Sequence, residues 1–167
     1  LIKGFKITNG GNVSNGGGLF IRAASIKITY SSINENSASQ RGGGIYLYES
    51  NSVVNNVTIS DNVTTSSSSN EYGGGGIYCN RSSPIIKNST ISEHNINGSG
   101  GGILSSWYCS PVIKNCLIEN NVSGNGYGGG NGGGGGSPSG SPKGRNTTTP
   151  TVTSTPAPSI TKTVTTD

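Results

Sequence analysis

Residues 42–48 read GGGIYLY, so that three glycines lead directly into a short apolar segment. The same pattern occurs at residues 16–21 (GGGLFI), 74–79 (GGGIYC) and 100–104 (GGGIL), and a further triple glycine stands at 128–130. The last glycine of each copy, at positions 18, 44, 76, 102 and 130, recurs at intervals of 26 to 32 residues. An interval of this length is typical of solenoids and other repeat proteins.

A second marker, an isoleucine, repeats with the same period in another part of each copy. The isoleucines are Ile7, Ile33, Ile59, Ile91 and Ile118. Three of them are followed three residues later by an asparagine, at Asn36, Asn62 and Asn121. Gly10 and His94 hold this position in the other two copies, and we interpret His94 as a stacked turn residue. Two independent markers that agree over five copies indicate a repeat architecture.

Each copy predicts three short strands separated by turns. In the last complete copy the strands are residues 102–105, 110–114 and 116–118. Their residues alternate in polarity, β-branched side chains are frequent and helical spacing is absent, which favours parallel strands stacked about 4.8 Å apart. The predicted fold class is therefore all-β: a right-handed parallel β-helix of about five coils, the first incomplete, with three short strands and 26–32 residues in each coil.

Aligning the copies predicts three interior columns of apolar side chains. They are Leu19/Ile45/Ile77/Ile103, Ile28/Val54/Ile86/Ile113, and the five isoleucines of the second marker. Asparagines are expected to stack at two turns, one holding Asn36, Asn62 and Asn121 and the other Asn56, Asn88 and Asn115. Asparagine tolerates the left-handed backbone that a tight turn needs, and stacked amides can hydrogen-bond from coil to coil.

The composition suits a solenoid and argues against several other classes. The chain has 167 residues with 29 glycines, 29% hydrophobic and 11% charged residues, a composition that without repeats would suggest disorder. A solenoid needs only a thin apolar core in each coil, because neighbouring coils share it. The net charge is +4, but the basic residues are scattered and do not interleave with aromatic residues, so nucleic-acid binding is not expected. No apolar run is long enough to predict a membrane span.

The three cysteines show no CxxC spacing, and neither a metal site nor a cofactor is predicted. Cys79 and Cys116 align with apolar positions of other copies, so we expect both to be buried thiols that act as small hydrophobic residues. Cys109 falls in a predicted loop and could pair with either of them. The spacing leaves that choice open.

The repeat pattern divides the chain into three segments. Residues 1–130 are predicted to form the β-helix, and residues 131–158, rich in Gly, Ser, Pro and Thr, a linker. Residues 159–167 alternate again and predict an isolated strand, either the start of a truncated β domain or a strand that docks elsewhere. Six extra residues between Asn62 and Gly74 predict a surface loop.

Eight asparagines satisfy the N-x-Ser/Thr pattern of N-glycosylation. The glycosylation candidates are Asn12, Asn80, Asn97 and Asn146. The other four, at positions 56, 62, 88 and 121, fall in the turn columns, where we expect poor access for a glycosyltransferase.

The glycine–isoleucine and isoleucine–asparagine motifs resemble those of extracellular right-handed parallel β-helix proteins. More narrowly, they resemble the polymorphic outer-membrane-protein repeats, which carry GGA[ILV] and FxxN tetrapeptides. Isoleucine replaces the phenylalanine here, at Ile33, Ile59, Ile91 and Ile118. The resemblance covers residues 1–130 and implies a surface protein, since similar proteins include adhesins, envelope components and polysaccharide lyases or hydrolases. Residues 160–164 (ITKTV) are similar to the opening strand of Ig-like surface repeats.

Three acidic residues, Glu35, Asp61 and Glu93, share one aligned position. Stacking would place neighbouring carboxylates near the lower end of the roughly 5–9 Å separation used in glycoside hydrolysis. Any solenoid produces this spacing by stacking alone, so we favour a solvent-facing polar column and assign no catalytic residue.

Aromatic residues near the first strand are the best candidates for binding a carbohydrate or a partner. Phe20, Tyr46 and Tyr78 are expected to form an exposed column, with Tyr48 on the same face and Trp107 in a nearby loop. Exposed aromatic rings suit stacking on sugar rings or covering by a partner. The alternative is that the aromatic pairs only stabilise the sheet from coil to coil.

These observations favour a structural or adhesive protein of an extracellular surface, a rigid component of a cell envelope, sheath or filament. The expected partners are further copies of the chain or neighbouring surface-protein domains, and glycans are a further option. The alternative function is a carbohydrate-binding module, or a polysaccharide lyase or hydrolase, that uses the first-strand face.

Overall fold

The computed structural model describes residues 1–65 and 72–124. The triple glycine at 128–130, the predicted linker at 131–158, the predicted strand at 159–167 and Asn146 lie outside these residues, as does most of the inserted loop after Asn62. Every strand pair in the described part of the chain is parallel. The described residues form a β-solenoid of about four turns, which confirms the predicted fold class.

The described residues contain seventeen strands and no helix. In chain order the strands are β1 (Ile2–Lys3), β2 (Lys6–Thr8), β3 (Val13–Asn15), β4 (Leu19–Arg22), β5 (Lys27–Asn34), β6 (Ser37–Arg41), β7 (Ile45–Tyr48), β8 (Val53–Ser60), β9 (Val63–Thr64), β10 (Ile77–Asn80), β11 (Ile85–Lys87), β12 (Thr90–Ser92), β13 (Asn95–Ile96), β14 (Ile103–Ser106), β15 (Val112–Lys114), β16 (Leu117–Glu119) and β17 (Val122–Ser123).

The three predicted strands of each coil are present and stack on their counterparts. The first strands form a four-stranded sheet in the order β14-β10-β7-β4, and the second strands follow the order β1-β5-β8-β11-β15. The third strands join this second sheet through β2, β12 and β16, because β5 and β8 each run through both positions. Parallel pairing between copies 26 to 32 residues apart explains why each coil repeats the same sequence pattern.

Each coil also has a fourth short strand that the sequence does not predict. It follows the asparagine turn, as β3, β6 and β9 in one sheet and β13 and β17 in another. The buried residues of these strands, Ala38, Thr64 and Ile96, are only 1% to 3% exposed and each comes two residues after a turn position. This recurring small or apolar residue is the signal that could have predicted the strand.

The three predicted apolar columns are confirmed by the strand register. Ile45 pairs with Leu19 and Ile77, Val54 with Ile28 and Ile86, and Ile59 with Ile33 and Ile91. The central members of all three columns are fully buried and belong to one continuous hydrophobic core. Because each apolar side chain packs on its equivalents above and below, few apolar residues per coil suffice to exclude water.

Four corners connect the strands of a complete coil, and each corner places at least one residue in the left-handed region. The corner residues have φ values of 49° to 74°. The glycine corner holds Gly16, Gly42, Gly74 and Gly100; the second corner Ala23, Glu49, Arg81 and Tyr108; the third corner Gly4, Tyr30, Asn56, Asn88 and Asn115; and the fourth corner Asn9, Glu35, Asp61, Glu93 and Asn120. The left-handed conformation predicted for the Asn56 column is therefore confirmed, and it is a property of every corner.

Candidate functional site

The asparagine column at the fourth corner is a buried hydrogen-bonded ladder, as predicted. Asn36 donates from its backbone N–H and from Nδ2 to Oδ1 of Asn62, at 3.0 and 2.9 Å. The Nδ2 group of Asn62 donates to the carbonyl of Ile33 at 2.8 Å, and that of Asn121 to the carbonyl of Ile91 at 2.9 Å. Asn36 and Asn62 are at most 1% exposed, so these bonds satisfy polar groups that water does not reach.

His94 continues this ladder in place of an asparagine. Its Nδ1 accepts the backbone N–H of Asn62 at 3.0 Å, and its own backbone N–H donates to Oδ1 of Asn121 at 3.2 Å. The side chain is fully buried, and desolvation lowers the pKa of His94 to about 4, although the carbonyl of Asn62 and the Asp61 carboxylate act in the opposite direction. The neutral imidazole therefore replaces the amide as an acceptor.

Serine and cysteine form two further ladders, which follow the second and third corners and which the sequence does not predict. At the third corner, Oγ of Ser89 accepts the N–H of Val57 at 3.1 Å and donates to the carbonyl of Lys87 at 2.7 Å. At the second corner, Oγ of Ser82 accepts the N–H of Ser50 at 3.0 Å and donates to the carbonyl of Asn80 at 2.8 Å. Each hydroxyl thus joins one coil to the next and also closes its own turn.

The three cysteines are free thiols, so the pairing left open by the sequence does not occur in this structure. Cys79 is fully buried in a column with Leu47, as predicted. Cys109 and Cys116 are half-buried, which corrects the expectation that Cys116 is buried. Both occupy serine positions of the two ladders, and Sγ of Cys109 accepts the N–H of Ser82 at 3.3 Å. Burial raises the pKa of all three thiols, which disfavours the reactive thiolate.

The amides of the third corner bond only in part as expected. Nδ2 of Asn115 reaches Oδ1 of Asn88 at 3.4 Å, a long contact between exposed groups. Nδ2 of Asn88 donates instead to Oδ1 of Asn55 at 2.9 Å, one residue before the predicted partner Asn56. The left-handed turn places Asn55 and Asn56 on different sides of the corner, and aligned positions alone do not reveal which amide is within reach.

The acidic column lies on the exposed side of the fourth corner. Glu35, Asp61 and Glu93 have φ values of 57°, 55° and 59° and face solvent. Side chains of adjacent coils donate hydrogen bonds to two of the three carboxylates. Oγ1 of Thr8 donates to Glu35 at 3.3 Å, and Nδ2 of Asn120 donates to Glu93 at 2.7 Å. Among residues 1–65 and 72–124, no three His, Cys, Asp or Glu side chains are grouped so that they could hold a metal ion.

We expect Asp61→Asn to stabilise the protein by about 0.5–1 kcal/mol at low ionic strength. Asparagine keeps the left-handed backbone and removes one of three like charges stacked at successive coils. Urea unfolding at low and high salt measures the effect, and the gain should shrink as salt screens the column. An unchanged or lower free energy of unfolding at low salt would show that the carboxylate is held by an attractive contact.

The predicted exposed aromatic column is wrong for two of its three members. Phe20 is 51% exposed, but Tyr46 and Tyr78 are 6% and 1% exposed. Tyr46 stacks on Phe20 at 5.0 Å and meets Tyr78 edge-on at 5.2 Å, so the rings cover one another. The guanidinium of Arg41 lies 5.8 Å above the Tyr78 ring and shields it further. Burial also raises the pKa of Tyr46. The contacts favour the alternative interpretation, a sheet-stabilising aromatic stack.

Exposure therefore separates the predicted binding residues into two groups. Tyr46 and Tyr78 offer no free ring face, whereas Tyr48 is half-buried, with the Arg22 guanidinium 5.5 Å above its ring. Trp107 is 59% exposed and lies at the second corner of the last described coil. The accessible aromatic surface therefore lies at the edge of the first sheet and not at its centre, where the sequence predicts it.

The glycosylation candidates also differ in exposure. Asn12 and Asn97 are exposed, and Asn80 is half-buried. Asn62 is fully buried, as expected for a turn column, but Asn88 is exposed, which corrects its predicted inaccessibility. The corner turns the Asn88 side chain outward, whereas the ladder holds Asn62 inward.

The chain matches no protein family, no curated protein and no solved structure with which it was compared. The fold assignment therefore rests on the strand register and the buried ladders described above. None of the described segments is a helix with the length and apolarity that a membrane crossing requires.

Proposed function

We propose that this chain is a rigid β-solenoid scaffold, a structural or adhesive component of a cell envelope, sheath or filament on an extracellular surface. The proposal rests on one observation: buried polar groups form hydrogen bonds between neighbouring coils. Asn36, Asn62, His94 and Ser82 each bond to an adjacent coil while buried. Such bonds resist bending and shear of one coil against the next without a large apolar core.

The repeat motifs support the surface location. The resemblance of residues 1–130 to polymorphic outer-membrane-protein repeats points to an envelope or surface protein, and the small share of charged residues, 11%, suits a solenoid built on polar ladders. The partners proposed for this scaffold are further copies of the chain or neighbouring domains of the same surface, because a coil of the same pattern can stack on the strands of the coil before it.

Electron microscopy of the chain over a range of concentrations tests the scaffold role. We expect rods that lengthen with concentration, and a parallel incubation with acidic and neutral polysaccharides is expected to leave the polymers uncleaved. Particles that stay single and compact at every concentration would contradict the filament form. New reducing or unsaturated sugar ends that disappear in Asp61→Asn would contradict the scaffold role and favour an enzyme.

A further inference from the structure

The second corner differs in the last described coil by one extra residue. From the glycine corner to the second corner the chain takes seven residues in three coils, as from Gly42 to Glu49 and from Gly74 to Arg81. It takes eight from Gly100 to Tyr108, and the additional residue is Trp107. Trp107 and Tyr108 both have positive φ, 37° and 57°, whereas the other coils have one such residue at this corner.

The insertion leaves the coil in register on both sides. Before the corner, Ser106 pairs with Asn80, and after it Sγ of Cys109 accepts the N–H of Ser82. The extra residue is therefore confined to the corner, in the manner of a β-bulge that re-aims a side chain. Two bulky residues with positive φ are strained, and strain of this kind is concentrated at functional sites.

The strained corner holds two aromatic rings in solvent. Trp107 is 59% exposed, and Tyr108 is 85% exposed, which is the largest aromatic exposure at any corner in the described part of the chain. Preceding coils add charged and aromatic groups along the same corner: Arg81 lies 3.5 Å from Glu49, and Arg22 lies over Tyr48. The corner thus combines ring faces in the last described coil with hydrogen-bonding groups in the coils before it.

We propose that this second corner is a binding site for an extended polysaccharide that runs along the solenoid axis. A pyranose ring has an apolar C–H face that stacks on Trp107 and an edge of hydroxyl groups that Arg81 and Glu49 can bond. Successive coils lie about 4.8 Å apart, close to the length of one sugar unit in an extended chain, so neighbouring sugars meet equivalent positions of neighbouring coils. This role goes beyond the scaffold function and involves no bond cleavage.

Charge at the corner indicates which polysaccharide binds better. Two arginines, Arg22 and Arg81, and one acid, Glu49, lie at or directly beside the corner, so it is net positive. A carboxylate of the polymer can displace Glu49 from Arg81, or bind Arg81 beside it, and so form a charge-assisted hydrogen bond with the guanidinium. We therefore expect a uronic-acid polymer to bind more tightly than a neutral one.

Affinity electrophoresis in gels that contain polygalacturonate or hydroxyethyl cellulose tests the site. We expect wild-type protein to be retarded most by polygalacturonate, and Trp107→Ala to weaken binding by about tenfold or more. Arg81→Gln keeps hydrogen-bond donors but removes the charge, so it should weaken binding to polygalacturonate more than binding to the neutral polymer. Tyr30→Ala is the matched control, because Tyr30 is a 62% exposed aromatic residue with positive φ at the third corner.

Several outcomes would overturn the proposal. They are no retardation of the wild-type protein by either polymer, equal retardation of wild type and Trp107→Ala, or the same loss in Tyr30→Ala. Self-association that disappears in Trp107→Ala, without any polysaccharide binding, would assign the corner to a second copy of the chain. Deletion of Trp107 restores the seven-residue corner, and its melting temperature should match or exceed that of wild type, so loss of binding cannot be attributed to unfolding.

Discussion

Replacing Gly43 by alanine is expected to lower the free energy of unfolding by about 3 kcal/mol, the upper part of the range for overpacked sites. A Cβ atom at this position would lie 2.5 Å from the carbonyl oxygen of Val63 and 2.7 Å from that of Gly75. Both are backbone atoms, that of Gly75 in the next coil and that of Val63 in β9 of the same coil, so the clash can be relieved only by a shift of the backbone itself. The glycine is thus required by the close approach of the stacked backbones.

Gly11→Ala is the matched control for this prediction. A Cβ atom on Gly11 would meet no atom within 4 Å, and the residue is exposed without a positive φ. We expect its free energy of unfolding to stay within about 1 kcal/mol of wild type, with a small gain because alanine restricts the unfolded chain. Urea unfolding followed by far-UV circular dichroism measures both variants. Equal stability of Gly43→Ala and Gly11→Ala would show that the coils are not packed as described.

Lowering the pH from 7 to 4 is expected to reduce the free energy of unfolding by about 3 kcal/mol through His94 alone. The pKa of His94 is lowered from 6.5 to about 4 in the folded protein, mainly because burial disfavours the charged ring. The unfolded state then binds the proton more readily than the folded state. The stabilisation is therefore complete above about pH 6.5, declines as the pH falls toward 4, and is lost below that pH.

His94→Asn isolates this effect from the titration of carboxylates. Asparagine occupies the same ladder position at Asn36, Asn62 and Asn121, so the variant should fold and have a stability within about 1 kcal/mol of wild type at pH 7. Its free energy of unfolding should vary less between pH 7 and pH 4 by the amount that His94 contributes. The protection factor of the Asn62 N–H against hydrogen exchange, taken relative to the intrinsic rate at each pH, should fall at low pH in wild type only, because this group donates to His94 Nδ1 at 3.0 Å. The same pH dependence in both proteins would refute the assignment.

The fold could be predicted from the sequence because its repeats are nearly in phase. A 26-residue period places Ile33 on Ile7 and on Ile59, and a shift of one residue would turn every apolar side chain of a strand outward. The same alignment predicts the ladder of Asn36 and Asn62, since an inward asparagine after an inward isoleucine has no water to bond.

The candidate binding site was less predictable. The exposure of an outward side chain depends on the residues of neighbouring coils, so the alternation that places Tyr46 and Tyr78 on the outer face does not reveal that they are covered. Trp107 was identified as an aromatic loop residue, but its role as the one extra residue of a corner requires the φ values of every coil.

The period, the apolar columns and the asparagine ladder follow from the order of residues alone, because stacking in register allows only one face of each strand to be buried. The order of residues alone does not determine the serine and cysteine ladders, the fourth strand or the left-handed backbone of the acidic column. Serine is frequent throughout this chain, and whether Ser82 or Ser83 enters a ladder depends on which side of a corner it lies. That choice is made by backbone geometry and by contacts between coils, which no single repeat contains.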